Sequence, residues 1–300
     1  MTAKTEQHFD IHRDQALFKE ALSYTTTSTG FRSDLIEKDY YCSLLLASIY
    51  AEIDHAMIFK GSTCLSKVYA GFYRLSEDLD FSIALETEAP TRAEKRQKMK
   101  PIKELISTLP DKLSGLSLSG ELKGFNNSTQ YTVNVVYQSI SLGQPSNIKL
   151  EIGIREKLLD PPSTEEAGTI LLNPLKRSPV VPGFRVSCLS LSEAMSEKIR
   201  AALTRRDPAI RDFYDVDFVA NKLDVDLMSN DMLKRVLKKL EIPGNEPPDA
   251  SSAKKDALKL QLEPQLKPVL RQEDYERFDL DRAFATVESI YNKIQTIKSS

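Results

Sequence analysis

Apolar residues recur along this chain with two different periods. Over residues 14–26 and 33–53 the spacing is helical. In the second stretch Leu35, Ile36, Leu44, Leu45, Leu46 and Ile49 form a broad apolar face. Ala56–Phe59 is a short apolar run stopped by Gly61, which predicts a strand, and Ser62–Tyr69 then fits a helix. Leu79, Phe81, Ile83 and Leu85 alternate with Asp78, Asp80 and Ser82, the period of a half-buried strand. Residues 90–109 are charged and helical, with an end expected at Pro110. Tyr131–Tyr137 and Asn147–Ile154 are further strand candidates. The proline-rich stretch 156–188 predicts loops with one or two short strands.

From Ser190 the period becomes helical throughout. Ser190 and Glu193 suggest a capping box for a helix running to about Arg206. Further helices are predicted over Asp212–Leu223, Asp231–Leu240 and Glu273–Lys298, with a linker at Pro243–Ala250. The pattern therefore implies an α+β chain. A mixed-sheet unit with N-terminal helices (residues 1–188) precedes a helical unit (residues 189–300), with the boundary between Pro182 and Ser190.

Composition narrows this picture by exclusion. The formal net charge of −2 rules out a chain that is basic throughout, though local basic patches remain open. No run approaches the ~20 apolar residues of a membrane span, and the N-terminus lacks the apolar core of a signal peptide. Three scattered cysteines, Cys42, Cys64 and Cys188, suit neither a disulfide framework nor a zinc site. They read as small buried hydrophobes, and a reducing cytoplasm is the expected location.

The chemistry concentrates between Ile58 and Leu85. Asp78 and Asp80 share one face of a strand, with Cα atoms ~6.5–7 Å apart, so their carboxylates can converge on one hard cation. Magnesium takes oxygen ligands and substrate phosphates together, which suits in-line phosphoryl displacement. That chemistry generally wants a third carboxylate from a neighbouring strand. Glu151 is the only acid among the outward residues of Asn147–Ile154. In isolation an Asp-x-Asp pair equally suits a solvated strand face. The Gly61-Ser62 turn shifts the balance: glycine permits special backbone angles, Ser62 offers a hydroxyl, Thr63 and the following amides open a helix, and Lys60 adds positive charge.

Lys198 and Arg205, seven residues apart, lie in line beside the apolar face of Met195, Ile199 and Ala202. They suit either a triphosphate or a snorkelling role at the edge of a core. Asp212 reads as a helix N-cap or as an acid orienting those cations. Arg92, Lys95, Arg96, Lys98, Lys100 and Lys103 form the densest basic cluster, a solvated helix face or an RNA-backbone contact. His8, His12 and His55 support neither a zincin motif nor a catalytic triad.

The turn Gly61-Ser62 followed by Asp78-Leu79-Asp80 resembles the DNA polymerase β-like nucleotidyltransferase superfamily. More narrowly, FKGSTCLSKVY followed by RLSEDLDFSI is similar to the AbiEii/AbiGii toxin family. IEKDYYCSLLL (Ile36–Leu46) and SEKIRAALTRRDPAIRDFYDV (Ser196–Val216) resemble further motifs of that family. The family pattern often carries Gly-Gly where this chain has Gly61-Ser62. The resemblance implies a polymerase β-like mixed sheet flanked by helices and a C-terminal helical domain. It implies the toxin of a bacterial toxin–antitoxin or abortive phage-infection system, which transfers nucleotides from a nucleoside triphosphate to tRNA 3′ ends. On that basis Asp78, Asp80 and Glu151 would hold Mg2+, while Lys60, Gly61, Ser62, Thr63, Lys198 and Arg205 would hold the nucleotide. Lys198 and Asp212 would assist catalysis, and a cognate antitoxin would be the partner. The same fold also admits a protein or small-molecule acceptor, or an inactive binding module.

Overall fold

A computed structural model describes residues 11–53, 56–85, 91–154 and 157–299. Its frame is one mixed sheet. The strands are β1 (Ile58–Lys60), β2 (Leu79–Ser82), β3 (Leu116–Leu118), β4 (Lys123–Phe125), β5 (Gln130–Gln138), β6 (Pro145–Gly153), β7 (Ser163–Ala167) and β8 (Phe184–Cys188). Their order is β3-β5-β6-β2-β1-β8-β7, with β4 paired to β5 outside that path. β2 lies at the centre, antiparallel to β1 and parallel to β6.

Alternation along each strand gives the sheet two unlike faces. Phe59, Phe81, Leu79, Leu150, Ile152, Val133 and Val135 enter the main core. That core is closed by helices α1 (Gln15–Thr29), α2 (Ser33–Glu52) and α4 (Arg92–Lys112). The opposite face carries Lys60, Asp80 and Glu151. The first turns of α5 (Leu191–Thr204) cover part of it, where Ile58, Leu189 and Ala194 pack together.

A second core is built by α5, α6 (Ile210–Lys222), α7 (Asn230–Leu240), α8 (Ser252–Lys259) and α10 (Leu280–Ser299). Leu65, Ala70 and Tyr73, from the loop side of β1, enter this second core. The chain passes from strand to helix at residues 189–190, but the two cores interlock through that earlier segment.

Several elements differ from the sequence expectation for identifiable reasons. α4 runs through both Pro101 and Pro110 to Lys112, because Met99, Ile102, Leu105, Ile106 and Leu109 bury a continuous stripe. The short strands β3 and β4 carry too few residues to show a period. The last predicted helix is two helices, α9 (Gln272–Arg277) and α10, broken at Phe278–Asp279. Ser190 caps α5 by accepting from the Glu193 N–H at 3.1 Å. The Glu193 side chain does not close a capping box; it accepts from the N–H groups of Leu159 and Asp160 and from Lys239. The helix expected over 62–69 is one α-turn, α3 (Gly61–Cys64), widened into a π-turn over Leu65–Tyr69.

The Glu37-Lys38-Asp39 motif acts as a brace. Glu37 is fully buried and accepts from Ser139 Oγ at 2.7 Å and from the N–H groups of Ile140 and Ser141. Asp39 pairs with the buried Lys67 on the π-turn, while Lys38 donates to Glu77 at 2.8 Å, next to Asp78. All three cysteines are buried and free. His12 is a structural bridge, bonded to Tyr40 and to the Ser114 carbonyl. His8 and His55 lie outside the described residues.

Candidate active site

Strand register sets the site. Lys60 pairs with Asp80, Asp80 with Glu151 and Glu151 with Thr132, so four side chains form one row across the polar face. Gly61 follows Lys60 at φ +78°, a left-handed conformation that favours glycine. A Cβ built there would lie 2.3 Å from Asp80 Oδ2. The missing side chain is therefore the space that the Asp80 carboxylate occupies. Thr63 is buried, and its hydroxyl donates to the carbonyl of Asp78, tying the turn to the start of β2. That hydroxyl serves the backbone and does not reach the cavity.

Asp78 stands exposed one residue before β2. Partial desolvation raises its pKa, and the nearby Lys38 charge opposes the rise. Asp80 is more perturbed: burial first, and then the facing Glu151, push it up to about 6. Glu151 accepts from Lys149 Nζ at 2.5 Å. Among the described residues no three His, Cys, Asp or Glu side chains gather into a ready-made cation cage. The sequence expectation of three carboxylates on one ion is thus not preformed. Lys149 draws Glu151 along its own strand. What the structure does bring together is Asp80 and Glu151, in register, with Asp78 adjacent. Their oxygen donors and the crowding that lifts Asp80 suit a hard divalent cation, which ordinarily takes one or two carboxylates plus substrate phosphates.

Positive charge faces this row from the helical unit. A cavity of about 220 Å³ is lined by Lys60, Gly61, Asp80 and Glu151 on one side, and by Lys198, Arg205 and Asp212 on the other. Lys198 Nζ lies 2.5 Å from Ser62 Oγ, 3.1 Å from Asp212 Oδ1 and 2.8 Å from Asp215 Oδ2. Ser62 thus meets the site through Lys198 and is absent from the cavity wall. Arg205 Nε lies 3.0 Å from Asp212 Oδ2, with about half of its side chain exposed. Asp212 is no N-cap: α6 begins after Ala209, and the acid sits inside its first turn facing the two cations.

Several residues of this site escaped the sequence reading. Asp215 is fully buried, and Arg74 grips it through Nε at 2.5 Å and Nη2 at 2.8 Å, with Tyr73 donating as well. The Arg74 and Lys198 charges hold its pKa far below the usual carboxylate range, against the burial that would raise it. Arg74 precedes β2 and Asp215 lies on α6, so this pair fastens the two units together behind Lys198. The i,i+3 spacing of Asp212 and Asp215 was the available signal, since it puts both acids on one helix face. Glu197, on the cavity wall, takes Lys60 at 2.8 Å and the buried Lys239 at 3.1 Å.

The basic cluster of α4 lies elsewhere. Arg92, Arg96, Lys100 and Lys103 line an open groove of about 820 Å³ together with Tyr131. Tyr131 pairs with Ile152 on the face opposite Thr132 and Glu151, so this groove does not open onto the carboxylates.

Residues 44–288 match the model of the nucleotidyl transferase AbiEii toxin family, type IV toxin–antitoxin system. The chain belongs to the AbiEii toxin family. The crystal structure of JHP933 from Helicobacter pylori superposes with a TM-score of 0.50 at 17% identity, covering 90% of this chain and 97% of that one. A second H. pylori structure, described as a putative nucleotidyltransferase, has a TM-score of 0.47 at 19% identity, covering 87% and 96%. The first likeness concerns the fold alone. A search of curated proteins found no match. Among its described residues, this AbiEii-family chain has no helix long and apolar enough to cross a membrane.

Proposed function

We propose that this AbiEii-family protein is a magnesium-dependent nucleotidyltransferase that adds nucleotides from a nucleoside triphosphate to tRNA 3′ ends, blocking translation, and that a cognate antitoxin restrains it. The observation that carries this is the packing of Asp80 on Gly61, in register with Glu151, above a cavity walled by Lys60, Lys198 and Arg205.

Asp80 and Glu151, joined by Asp78, which lies outside the cavity lining two residues before Asp80, would hold magnesium, whose role when bound would be to neutralise charge on the triphosphate. The protein supplies the rest. Lys198, fixed by Asp212 and Asp215, and Arg205, fixed by Asp212, present cations to the phosphates without needing to reorganise. Lys60 holds Glu197 and faces the same space. The acceptor hydroxyl oxygen forms a bond to the α-phosphorus as the bond to the bridging oxygen breaks, and pyrophosphate departs. The hydroxyl proton passes to a carboxylate of the row, Glu151 or a nearby acid. Positioning and electrostatics dominate such transfers, so losing one carboxylate is severe.

The test is incorporation of labelled nucleotide into total tRNA by wild type, Asp78→Ala and Asp80→Ala, with magnesium. The expected result is labelled tRNA ends with wild type and a loss of at least about 100-fold in each variant. Undiminished transfer by either variant, or label appearing only in protein or small molecules, overturns the assignment.

A further inference from the structure

A second cavity, of about 400 Å³, adjoins the first and shares Lys60, Asp80, Glu151 and Arg200 with it. Its character is different. Beyond the shared residues its wall is uncharged, built from Ser82, Asn126, Thr129, Gln130, Gly153 and the Pro243-Gly244 loop. Strand register explains why. One step along the sheet from the row of Lys60, Asp80, Glu151 and Thr132 lies a parallel row: Ser82, Gly153, Gln130 and, on β4, Phe125. Gly153 leaves the middle of that row without a side chain, between the Ser82 hydroxyl and the Gln130 amide. At its end, next to Gln130 and just outside the residues that line the cavity, Phe125 is 50% exposed, one of few large apolar side chains the described surface leaves open.

The turn joining β4 to β5 is also unusual. Asn126, Asn127 and Ser128 all have positive φ, at 50°, 55° and 62°. Three consecutive left-handed non-glycine residues are costly and persist where the surroundings over-determine them. Here Asn126 Nδ2 donates to Gln130 Oε1 at 2.9 Å, and Thr129 Oγ1 donates to the Asn126 carbonyl. This bond uses one Asn126 N–H and the Gln130 side-chain oxygen, so the Asn126 oxygen, an acceptor, and the Gln130 NH2 group, a donor, take no part in it.

From this arrangement, and resting on the nucleotidyltransferase reading above, we propose that the second cavity is the acceptor site. It receives the unpaired 3′-terminal nucleotide of an RNA, with its base stacked on Phe125 and its edge read by Asn126 and Gln130. The charge pattern assigns the two cavities. A triphosphate belongs where Lys198 and Arg205 stand. A nucleobase belongs among neutral amides beside an exposed aromatic ring, the mode by which single-stranded RNA is commonly recognised. The shared row between the cavities lies where an attacking hydroxyl from one side would meet an α-phosphate from the other.

The experiment compares wild type, Phe125→Ala, Phe125→Trp and Asn126→Ala in magnesium-dependent transfer to tRNA. KM is measured separately for tRNA and for the triphosphate. Phe125→Ala is expected to raise the tRNA KM about tenfold or more, the loss of one stacked base, with the triphosphate KM within about twofold of wild type. Phe125→Trp is expected to restore acceptor binding, and Asn126→Ala to weaken it. Because Phe125 is half-exposed, melting temperatures should be unchanged, which separates a binding defect from misfolding. An unchanged tRNA KM in Phe125→Ala, while wild type labels tRNA, overturns the acceptor site alone. Failure of wild type to label any RNA overturns this proposal together with the function it rests on.

Discussion

Replacing Asp80 by asparagine is expected to stabilise the cation-free protein at neutral pH while abolishing nucleotidyl transfer. The carboxyl is pushed up to about 6 from an ordinary 3.8. Burial is the largest cause and the facing Glu151 the second, with Lys60 and Lys198 opposing them. A carboxyl whose folded pKa is raised contributes stability that is fully present below its unfolded pKa, near 4, and is lost as pH rises through about 6. That rise from 3.8 to about 6 corresponds to about 2–3 kcal/mol at pH 7. Asparagine has a similar shape and no charge, so Asp80→Asn avoids that loss. Urea unfolding of both proteins in a chelator, from pH 4.5 to 7.5, checks this. The stability gap should open in favour of the variant as pH rises, and magnesium should narrow it by stabilising only the wild type. A gap that stays flat across this window would refute the idea that Asp80 is held at an electrostatic cost. A site of this kind trades fold stability for function.

Two further substitutions probe the support of the site. Gly61→Ala places a Cβ 2.3 Å from Asp80 Oδ2 and forces alanine to φ +78°. It should cost about 1–2 kcal/mol in unfolding experiments and suppress transfer by displacing Asp80. Arg74→Ala leaves Asp215 buried with its main partner gone. Unfolding should show a loss of about 3–5 kcal/mol, and triphosphate affinity should fall because Asp215, one of the two acids that fix Lys198, is no longer held in place by Arg74.

The sequence by itself carried the fold class and the polar row of the candidate site. The clean alternation through Leu79–Leu85 and Asn147–Ile154 put Asp80 and Glu151 on polar faces. The Gly61-Ser62 turn marked where the backbone must bend. These features are local, and their periods are visible in one segment at a time. The short strands β3 and β4 were invisible because three residues carry no period. The prolines of α4 misdirected its end because burial of its apolar stripe overrode them. Tertiary structure alone decided the rest. It registered β2 against β6 so that Asp80 faces Glu151, and it turned the α4 basic cluster to the other side of the sheet. It also closed Arg74 on Asp215 across 141 residues of chain. The physical reason is that a period tells which way a side chain points from its own element. Only packing of whole elements against one another tells what it meets there.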